Sequence, residues 1–389
     1  MTDLQGAGAP PHPAAASAAA AAGASAGDDA TAHAALGALR ARVLAAAASR
    51  TPLRVRGGGT KDFYGQAFDG DVLDTRAYRG IVSFEPTELV VTARCGTPLS
   101  ELQAVLAEHR QMLAFEPPAF GPDATVGGVV SAGLSGPRRA ASGAARDFVL
   151  GAVLLDGAGR LKVFGGQVMK NVAGYDVSRL LCGALGTLGV VTEVSLKVLP
   201  VPPAEATLSM TVNEADALRL LNEWGGLPLP ISASGWHGSR LRLRFSGARA
   251  AVEAAVRRFE STYAAVPVGA DEAAGYWAGL REQTDDFFSG DEPLWRMSVP
   301  STAPAFNFPG RQLIEWGGAL RWLKTGVDAA TLRRAAEAVG GTATLFRGGD
   351  RSVGVFQPLS AAVLEIHRRL KHEFDPDGIF NPGRMYAGL

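Results

Sequence analysis

Glycine sets the first constraint on what this chain can fold into. It supplies 48 of 389 residues, well above the usual share of roughly 7%. Its densest runs are Gly57-Gly58-Gly59-Thr60, residues 121–136 and residues 183–189. Each abuts a strand-like or helix-like segment. Without a Cβ, glycine permits left-handed turns and close backbone approach. Loops of this kind aim backbone N–H groups at one ligand, and unpaired N–H groups bind phosphate well. One run alone reads as a tight turn, whereas three together point to a pyrophosphate held between loops. Simpler nucleotide motifs fail. Gly57-Gly58-Gly59-Thr60-Lys61-Asp62 does not match G-x-G-x-x-G, and no helix clearly follows it. Gly59-Thr60-Lys61 has the wrong order for a P-loop's Gly-Lys-Ser/Thr.

Charge and cysteine narrow the class. Lys+Arg and Asp+Glu number 38 each, which excludes a whole-chain basic footprint for nucleic acid. The 47% hydrophobic content excludes highly charged disorder for most of the chain. Cys95 and Cys182 are too few for an iron–sulfur cluster, which usually takes four. They also make no disulfide scaffold, so a reducing cytoplasm is the expected compartment. Residues 1–34 are rich in Ala and interrupted by Pro10, Pro11, Pro13, Gly23 and Gly27. They read as a disordered tail, without the basic start and Leu-rich stretch of a secretory signal. No long run of large apolar side chains is present to span a membrane.

The length suits two or three domains. In residues 35–200, a helix over 33–49 leads to a strand at Pro52–Arg56 and another at Glu88–Arg94. Thr97 reads as the N-cap of the next helix, with Pro98 at its first position. Leu99, Leu102, Leu106 and His109 share one face of it. Residues 116–146 show little helical or strand period. Val149–Leu155, Asp156-Gly157-Ala158-Gly159 and Arg160–Phe164 read as a hairpin. A helix over 176–184 precedes the third loop, and an alternating strand runs from Val190 to Val198. Pro200, Pro202 and Pro203 mark a boundary. Residues 201–358 alternate strand and helix as a second, α+β domain. Residues 359–389 bring a last helix, with Leu359, Val363, Ile366, Leu370 and Phe374 on one stripe, and the closing run Phe380-Asn381-Pro382-Gly383-Arg384.

Several segments together resemble the flavoproteins of the p-cresol methylhydroxylase/vanillyl-alcohol oxidase type. Arg56-Gly57-Gly58-Gly59-Thr60-Lys61 is similar to the first FAD loop, and Ala124-Thr125-Val126-Gly127-Gly128-Val129-Val130 to the second. Arg146–Gly151 resembles the family's run into the next strand. Gly183-Ala184-Leu185-Gly186-Thr187-Leu188-Gly189-Val190-Val191-Thr192-Glu193 resembles the G-S-E-G-T-L-G-I-I-T-E signature beside the flavin, with Leu185 where Glu is frequent. Phe374–Gly383 is similar to the family's C-terminus. Arg79–Val82, Pro86–Arg94, Gly136–Arg139 and above all Gly165–Leu180 resemble the FAD-binding E subunits of bacterial glycolate oxidases.

The resemblance implies an α+β fold: a two-part FAD-binding domain and a smaller α+β cap domain with an antiparallel sheet. It implies an oxidoreductase subunit working with a catalytic flavin subunit and an iron–sulfur subunit. Together they would oxidise glycolate, a small 2-hydroxy acid, and pass electrons to a membrane acceptor. The clusters would then sit in the partner, which suits a two-cysteine chain, and membrane association would come only through partners. The His-rich H-x-x-G-D-G-N-x-H motif of catalytic 2-hydroxy-acid dehydrogenases is missing, and no metal is expected. The competing readings are a stand-alone FAD-dependent 2-hydroxy-acid dehydrogenase and a structural subunit that has lost FAD. The first loop has no His for a covalent link, so non-covalent FAD is expected.

By the same resemblance, Arg56, Gly57, Gly58, Gly59 and Thr60 hold the pyrophosphate. Lys61 either adds charge there or is solvated. Thr125, Val126, Gly127 and Gly128 line the diphosphate or flavin. Gly183, Gly186, Thr187, Leu188 and Gly189 lie near the ring, and Asn381 either approaches the flavin or caps a turn. Arg138, Arg139, Arg347 and Arg351 are candidates for a carboxylate clamp, since arginine binds carboxylates through two parallel hydrogen bonds. Gly58→Glu and Gly128→Glu are each expected to expel flavin from a folded chain, as measured by flavin content.

Overall fold

The computed structural model describes residues 26–166 and 176–389. The chain opens with α1 (Ala26–Ser49), which packs Leu39 and Val43 against β1 (Leu53–Arg56) and β2 (Asp71–Asp74). Helix α1 begins earlier than its large apolar residues suggest. Ala32 is buried in the same cluster, and Asp29 pairs with Arg94 at 2.9 Å. Residues 26–34 therefore extend the helix rather than the tail, as the high helix propensity of alanine allows. The rest of the expected tail, residues 1–25, lies outside the described residues, as do Gln167–Tyr175 of the Gly165–Leu180 segment.

A five-stranded antiparallel sheet follows, from β3 (Ile81–Glu85), β4 (Val90–Arg94), β6 (Val149–Leu155), β7 (Leu161–Gly165) and β8 (Val190–Lys197). Their order is β3-β4-β8-β6-β7. A separate short ribbon pairs β5 (Gln111–Met112) with β9 (Leu199–Pro200). Leu99, Leu102 and Leu106 of α2 (Leu99–Glu108) are buried against the sheet. Each fully buried Leu contributes about 1.5–3 kcal/mol of transfer free energy. His109 stays exposed and meets Phe84 edge-on. Thr97 does not cap α2. Its hydroxyl instead exchanges hydrogen bonds with the backbone of Gly80 at 2.9 and 3.1 Å.

The glycine-rich stretch 116–146 holds three helices that its sequence hides: α3 (Val126–Ala132), α4 (Arg139–Ser142) and α5 (Ala145–Phe148). In α3, Thr125 caps the Gly128 N–H, and Gly133 ends the helix at φ 62°. Two glycines in the first turn mask its period, while Val126, Val129 and Val130 bury it in the sheet core. A short α6 (Val177–Leu181) precedes the third loop.

The second sheet has eight antiparallel strands in the order β13-β10-β12-β11-β15-β16-β14-β17. These are β10 (Ala204–Thr211), β11 (Ile231–His237), β12 (Arg240–Gly247), β13 (Val266–Pro267), β14 (Leu294–Ser298), β15 (Arg311–Glu315), β16 (Leu320–Lys324) and β17 (Thr342–Arg347). Trp316-Gly317-Gly318 turns through φ 54°, 64° and 103°, separating β15 from β16. Helices α7 (Glu214–Gly225) and α8 (Arg249–Tyr263) cover one end through Trp224 and Phe259, and α10 (Ala329–Ala338) covers the other. Helix α9 (Ala270–Glu282) brings Trp277 and Leu280 to a third core, shared with Tyr64, Ala132 and Leu134 of the first half. Trp316 donates to Gly136 O at 3.0 Å across that junction. A buried ionic cluster reinforces it: Glu116 pairs with Arg244 at 2.9 Å and Arg138 at 3.3 Å, and Arg138 reaches Glu205 at 2.9 Å. Burial pushes the Glu116 carboxyl up, but Arg244 and Arg138 outweigh it and hold the group below its usual range.

The last helix, α11 (Ala361–Phe374), is less buried than its stripe suggests. Phe374 is buried, but Val363 is exposed and Ile366 is 56% exposed. Its anchor is polar. Lys371 Nζ donates to Asp375 Oδ2 at 2.5 Å, Phe380 O at 2.6 Å and Thr187 O at 2.7 Å. Asp375 accepts in turn from the backbone of Ile379 and Phe380. Residues 379–381 then lie parallel to β1, with Leu53 N donating to Ile379 O and Asn381 N to Leu53 O. Removing one partner of a buried ion pair typically costs about 3–5 kcal/mol. An exposed i,i+4 pair such as Arg369–Glu365 contributes about 0.3–0.5 kcal/mol. Urea unfolding is therefore expected to show a loss of about 3 kcal/mol or more for Lys371→Met and under about 0.5 kcal/mol for Arg369→Ala.

Candidate cofactor-binding site

The C-terminal segment, β1 and the first two glycine loops line one open cleft. Arg56, Gly57, Gly58, Gly59, Thr60, Lys61, Thr125, Gly128 and Asn381 all line it. Asn381 is a clamp: its Oδ1 accepts from Val55 N at 2.8 Å and its Nδ2 donates to Leu185 O at 2.6 Å. It thus ties the end of β1 to the third loop.

The glycines of the first loop are required by protein contacts. A Cβ on Gly57 would stand 2.3 Å from Thr125 Oγ1, and one on Gly58 would stand 1.6 Å from Asp123 O. Gly59 has φ +74°, and its Cβ would strike the Arg56 guanidinium. Loops one and two therefore touch backbone to backbone. Gly128 is different. Its Cβ would meet only Thr125 Oγ1, at 3.2 Å, and it faces the cleft. The expectation for Gly58→Glu is corrected accordingly: that side chain breaks the junction of the loops before it can meet a ligand.

Charge is held in place by a small set of contacts. Arg54 and Arg56 both pair with Asp62, at 2.8 and 2.7 Å. Lys61 donates to Ala119 O at 3.1 Å and Thr60 Oγ1 at 3.3 Å. Burial pushes its ammonium down to about 8, with Glu282 opposing the fall. Lys61 is therefore half-desolvated and tied, not solvated. Arg384 donates to Gln66 O at 2.7 Å and Asp62 O at 2.8 Å, and burial lowers its guanidinium to about 10. Arg351 bonds Gly65 O at 2.7 Å and also Phe63 O. Arg54, Arg56, Lys61 and Arg384 thus face a single lining carboxylate, Asp62. That excess of cation suits a diphosphate.

The remaining sequence-predicted residues do not line this cleft. Val126 is buried in the sheet core, and Gly127 packs on Cys95, where a Cβ would come within 2.7 Å. Gly183 abuts Gly133 at the end of α3, donating to Val130 O at 3.0 Å. Gly186 sits under Asn381 Nδ2. Thr187 donates to Ala184 O at 2.7 Å, Leu188 joins the core, and a Gly189 Cβ would lie 2.7 Å from Leu155 O. These residues shape the third loop, and Leu185, at φ +50°, is the one it presents to the cleft. Arg54, Asp62, Phe68, Ser131, Ala132 and Arg384 also line it and were not foreseen. The Arg384 signal lay next to Asn381-Pro382-Gly383. The others needed the fold.

The expected arginine clamp divides. Arg138 and Arg351 are consumed by the contacts above. Arg139 stacks on Trp316 at 4.3 Å and Arg347 on Phe63 at 4.5 Å, neither with an anionic partner among the described residues.

Fold and cleft define a flavoprotein of the FAD-linked oxidase kind. The profile of the FAD binding domain family matches residues 34–165. Glycolate oxidase subunit GlcE of Escherichia coli (strain K12) is 48% identical over 353 residues, covering 90% of this chain and 97% of that protein. Glycolate oxidase subunit GlcD of Bacillus subtilis (strain 168) is 32% identical over 171 residues, 43% of this chain and 36% of that one. Among solved structures, substrate-bound p-cresol methylhydroxylase has a TM-score of 0.68 at 15% identity, covering 90% of this chain and 87% of that chain. The 4-ethylphenol oxidase from Gulosibacter chungangensis has 0.65 at 14% identity, covering 91% and 88%. The chain belongs to the GlcE family of FAD-linked oxidases, and FAD is its cofactor. Among the described residues, no helix is long and apolar enough to cross a membrane.

Gly128→Glu is expected to lower the flavin content of the purified protein about tenfold or more with little change in its urea midpoint, because an acidic residue suits the first turn of α3. Gly58→Ala is expected to cost about 1–3 kcal/mol of stability by overpacking, which the same urea titration reads.

Proposed function

We propose that this chain is the FAD-binding subunit of a glycolate-oxidising assembly, and that the cleft of the first two loops holds the cofactor's diphosphate without a covalent link. The observation that carries the reading is the convergence of the Gly57–Lys61 loop, Thr125, Gly128 and Asn381 on one cationic cleft, in a chain that is 48% identical to a glycolate oxidase subunit. Backbone N–H groups of the first loop and the Thr60 and Thr125 hydroxyls would meet the diphosphate. Arg54, Arg56 and Arg384 would offset its charge. Leu185, Ser131 and Ala132 would line the remainder. FAD supplies acceptance of a hydride from the 2-carbon of a 2-hydroxy acid. The chain's part is to hold the cofactor and join the partners. Those partners are a catalytic flavin subunit and an iron–sulfur subunit, which would give the assembly its membrane acceptor. The domain limits 35–200, 201–358 and 359–389 belong to the same reading, with the last segment returning to the first.

Purification of the full chain, alone and with the two partner subunits, tests it. Acid is expected to release the flavin intact. Glycolate turnover is expected only with the partners present. Turnover by the chain alone would favour a stand-alone dehydrogenase.

A further inference from the structure

The loop from Pro117 to Gly121 borders Thr60 and Lys61 of the cofactor cleft and is held from the other half of the molecule. Pro117 and Pro118 offer no N–H. The next two N–H groups, of Ala119 and Phe120, both donate to Glu282 Oε2, at 2.9 and 2.8 Å. Glu282 is the last residue of α9, and Arg281 Nε donates to its other oxygen at 2.7 Å. Phe120 holds φ +54°, a left-handed conformation that bulky residues rarely adopt and that persists only where the surroundings impose it. Two hydrogen bonds to one carboxylate oxygen pin that conformation, and such charge-assisted bonds are the strong ones.

What the loop carries is Lys61. Ala119 O accepts from Lys61 Nζ at 3.1 Å, and the Phe120 ring lies 5.6 Å from the same ammonium, within cation–π range. A Cβ on Gly121 would stand 3.3 Å from Thr60 Cγ2, so loop and cleft edge are in contact. Lys61 Nζ also donates to Thr60 Oγ1 at 3.3 Å. An ammonium has three donors, and one remains for the cleft that Lys61 lines. The charged groups around it come from every neighbouring element. Glu282 and Arg281 belong to α9, and Arg347 of β17 lies 5.8 Å from the Phe120 ring. Arg54 and Arg56 of β1 pair with Asp62, and Arg384 of the C-terminal segment donates to Asp62 O. Of these, Glu282 raises the Lys61 ammonium against the larger fall that burial causes.

We propose that Glu282 is a positioning residue for the cofactor: by fixing Ala119 and Phe120 it aims the Lys61 ammonium into the cleft, so that the second half of the chain sets how tightly FAD is held. The proposal rests on the reading of that cleft as the diphosphate site. A lysine side chain is long and flexible, and ordering it around an anion costs rotamer freedom. An ammonium already seated on a carbonyl and a ring has less freedom left to lose, which is preorganisation. Glu282 does not itself line the cleft. It acts through the loop it grips and through the charge it places behind Lys61.

Titration of FAD into the flavin-depleted full chain, followed by flavin fluorescence from about pH 6.5 to 9, tests the role. Wild-type affinity is expected to fall as pH rises through about 8, where Lys61 loses the proton that a bound diphosphate favours. Lys61→Met is expected to bind FAD about 10–100-fold more weakly at neutral pH, the usual worth of a charge-assisted hydrogen bond, and to lose that pH step. Glu282→Gln keeps an acceptor oxygen for the loop but removes the charge. Its step is therefore expected at lower pH than the wild type's, with near wild-type affinity on the acid side. Glu282→Ala is expected to weaken FAD about tenfold, yet to add little in a chain that already carries Lys61→Met. Equal weakening by Glu282→Ala in both backgrounds, or a pH step that Glu282→Gln leaves in place, overturns the proposal. If Gly128→Glu expels flavin while Lys61→Met and Glu282→Ala bind FAD normally, the cleft stands and the proposal falls. If all three bind FAD normally, the cleft reading falls with it.

Discussion

The Lys371 ammonium, closed off from water, organises the half of the molecule that carries the cleft. It gathers the end of α11, the carbonyl of Phe380 and the carbonyl of Thr187 within 2.7 Å. The third loop, the C-terminal segment and the last helix are thereby fixed to one point. From that point Asn381 reaches β1 and Leu185, and Arg384 reaches the far side of the first loop. Asp375 serves the same point from below: its carboxylate takes two backbone N–H groups, and a Cβ on Gly157 of the β6–β7 turn would press on it. A buried pair of this kind is weak evidence for stability. Its hydrogen bonds, however, specify one arrangement of three chain segments that hydrophobic burial alone would leave free to slide.

Two different kinds of contact join the halves. Around Trp316 and Phe346 the join is aromatic, while around Glu116 it is ionic. The ionic cluster is saturated, since each of its arginines has a carboxylate. The aromatic side is not, because Arg139, Arg296 and Arg347 lie on rings and form no ion pair among the described residues. This contrast separates arginines paired with carboxylates from arginines that rest on rings.

Elements with an unbroken apolar period were legible from the residues. The three leucines of α2 and the β6–β7 hairpin lie where the pattern puts them. Helix α3 was not legible, because Gly127 and Gly128 occupy its first turn against propensity, Gly127 for its close contact with Cys95 and Gly128 on the cleft side. The stripe on α11 misled in the other direction: Val363 and Ile366 keep the helical period yet face solvent. Periodicity reports an amphipathic face and says nothing of whether another element comes to cover it.

By itself the sequence determined the family and the cofactor and marked where the glycine runs lie. Glycine runs and their flanking residues are local, and a backbone that must pass close to another allows few substitutes. What each glycine is close to was decided only by the tertiary structure. Gly57 and Gly58 answer to Asp123 and Thr125, and Gly186 to Asn381, partners far off in the chain. The same holds for charge. An arginine reads alike in any sequence, and only the fold decides whether a carboxylate or an aromatic ring stands before it.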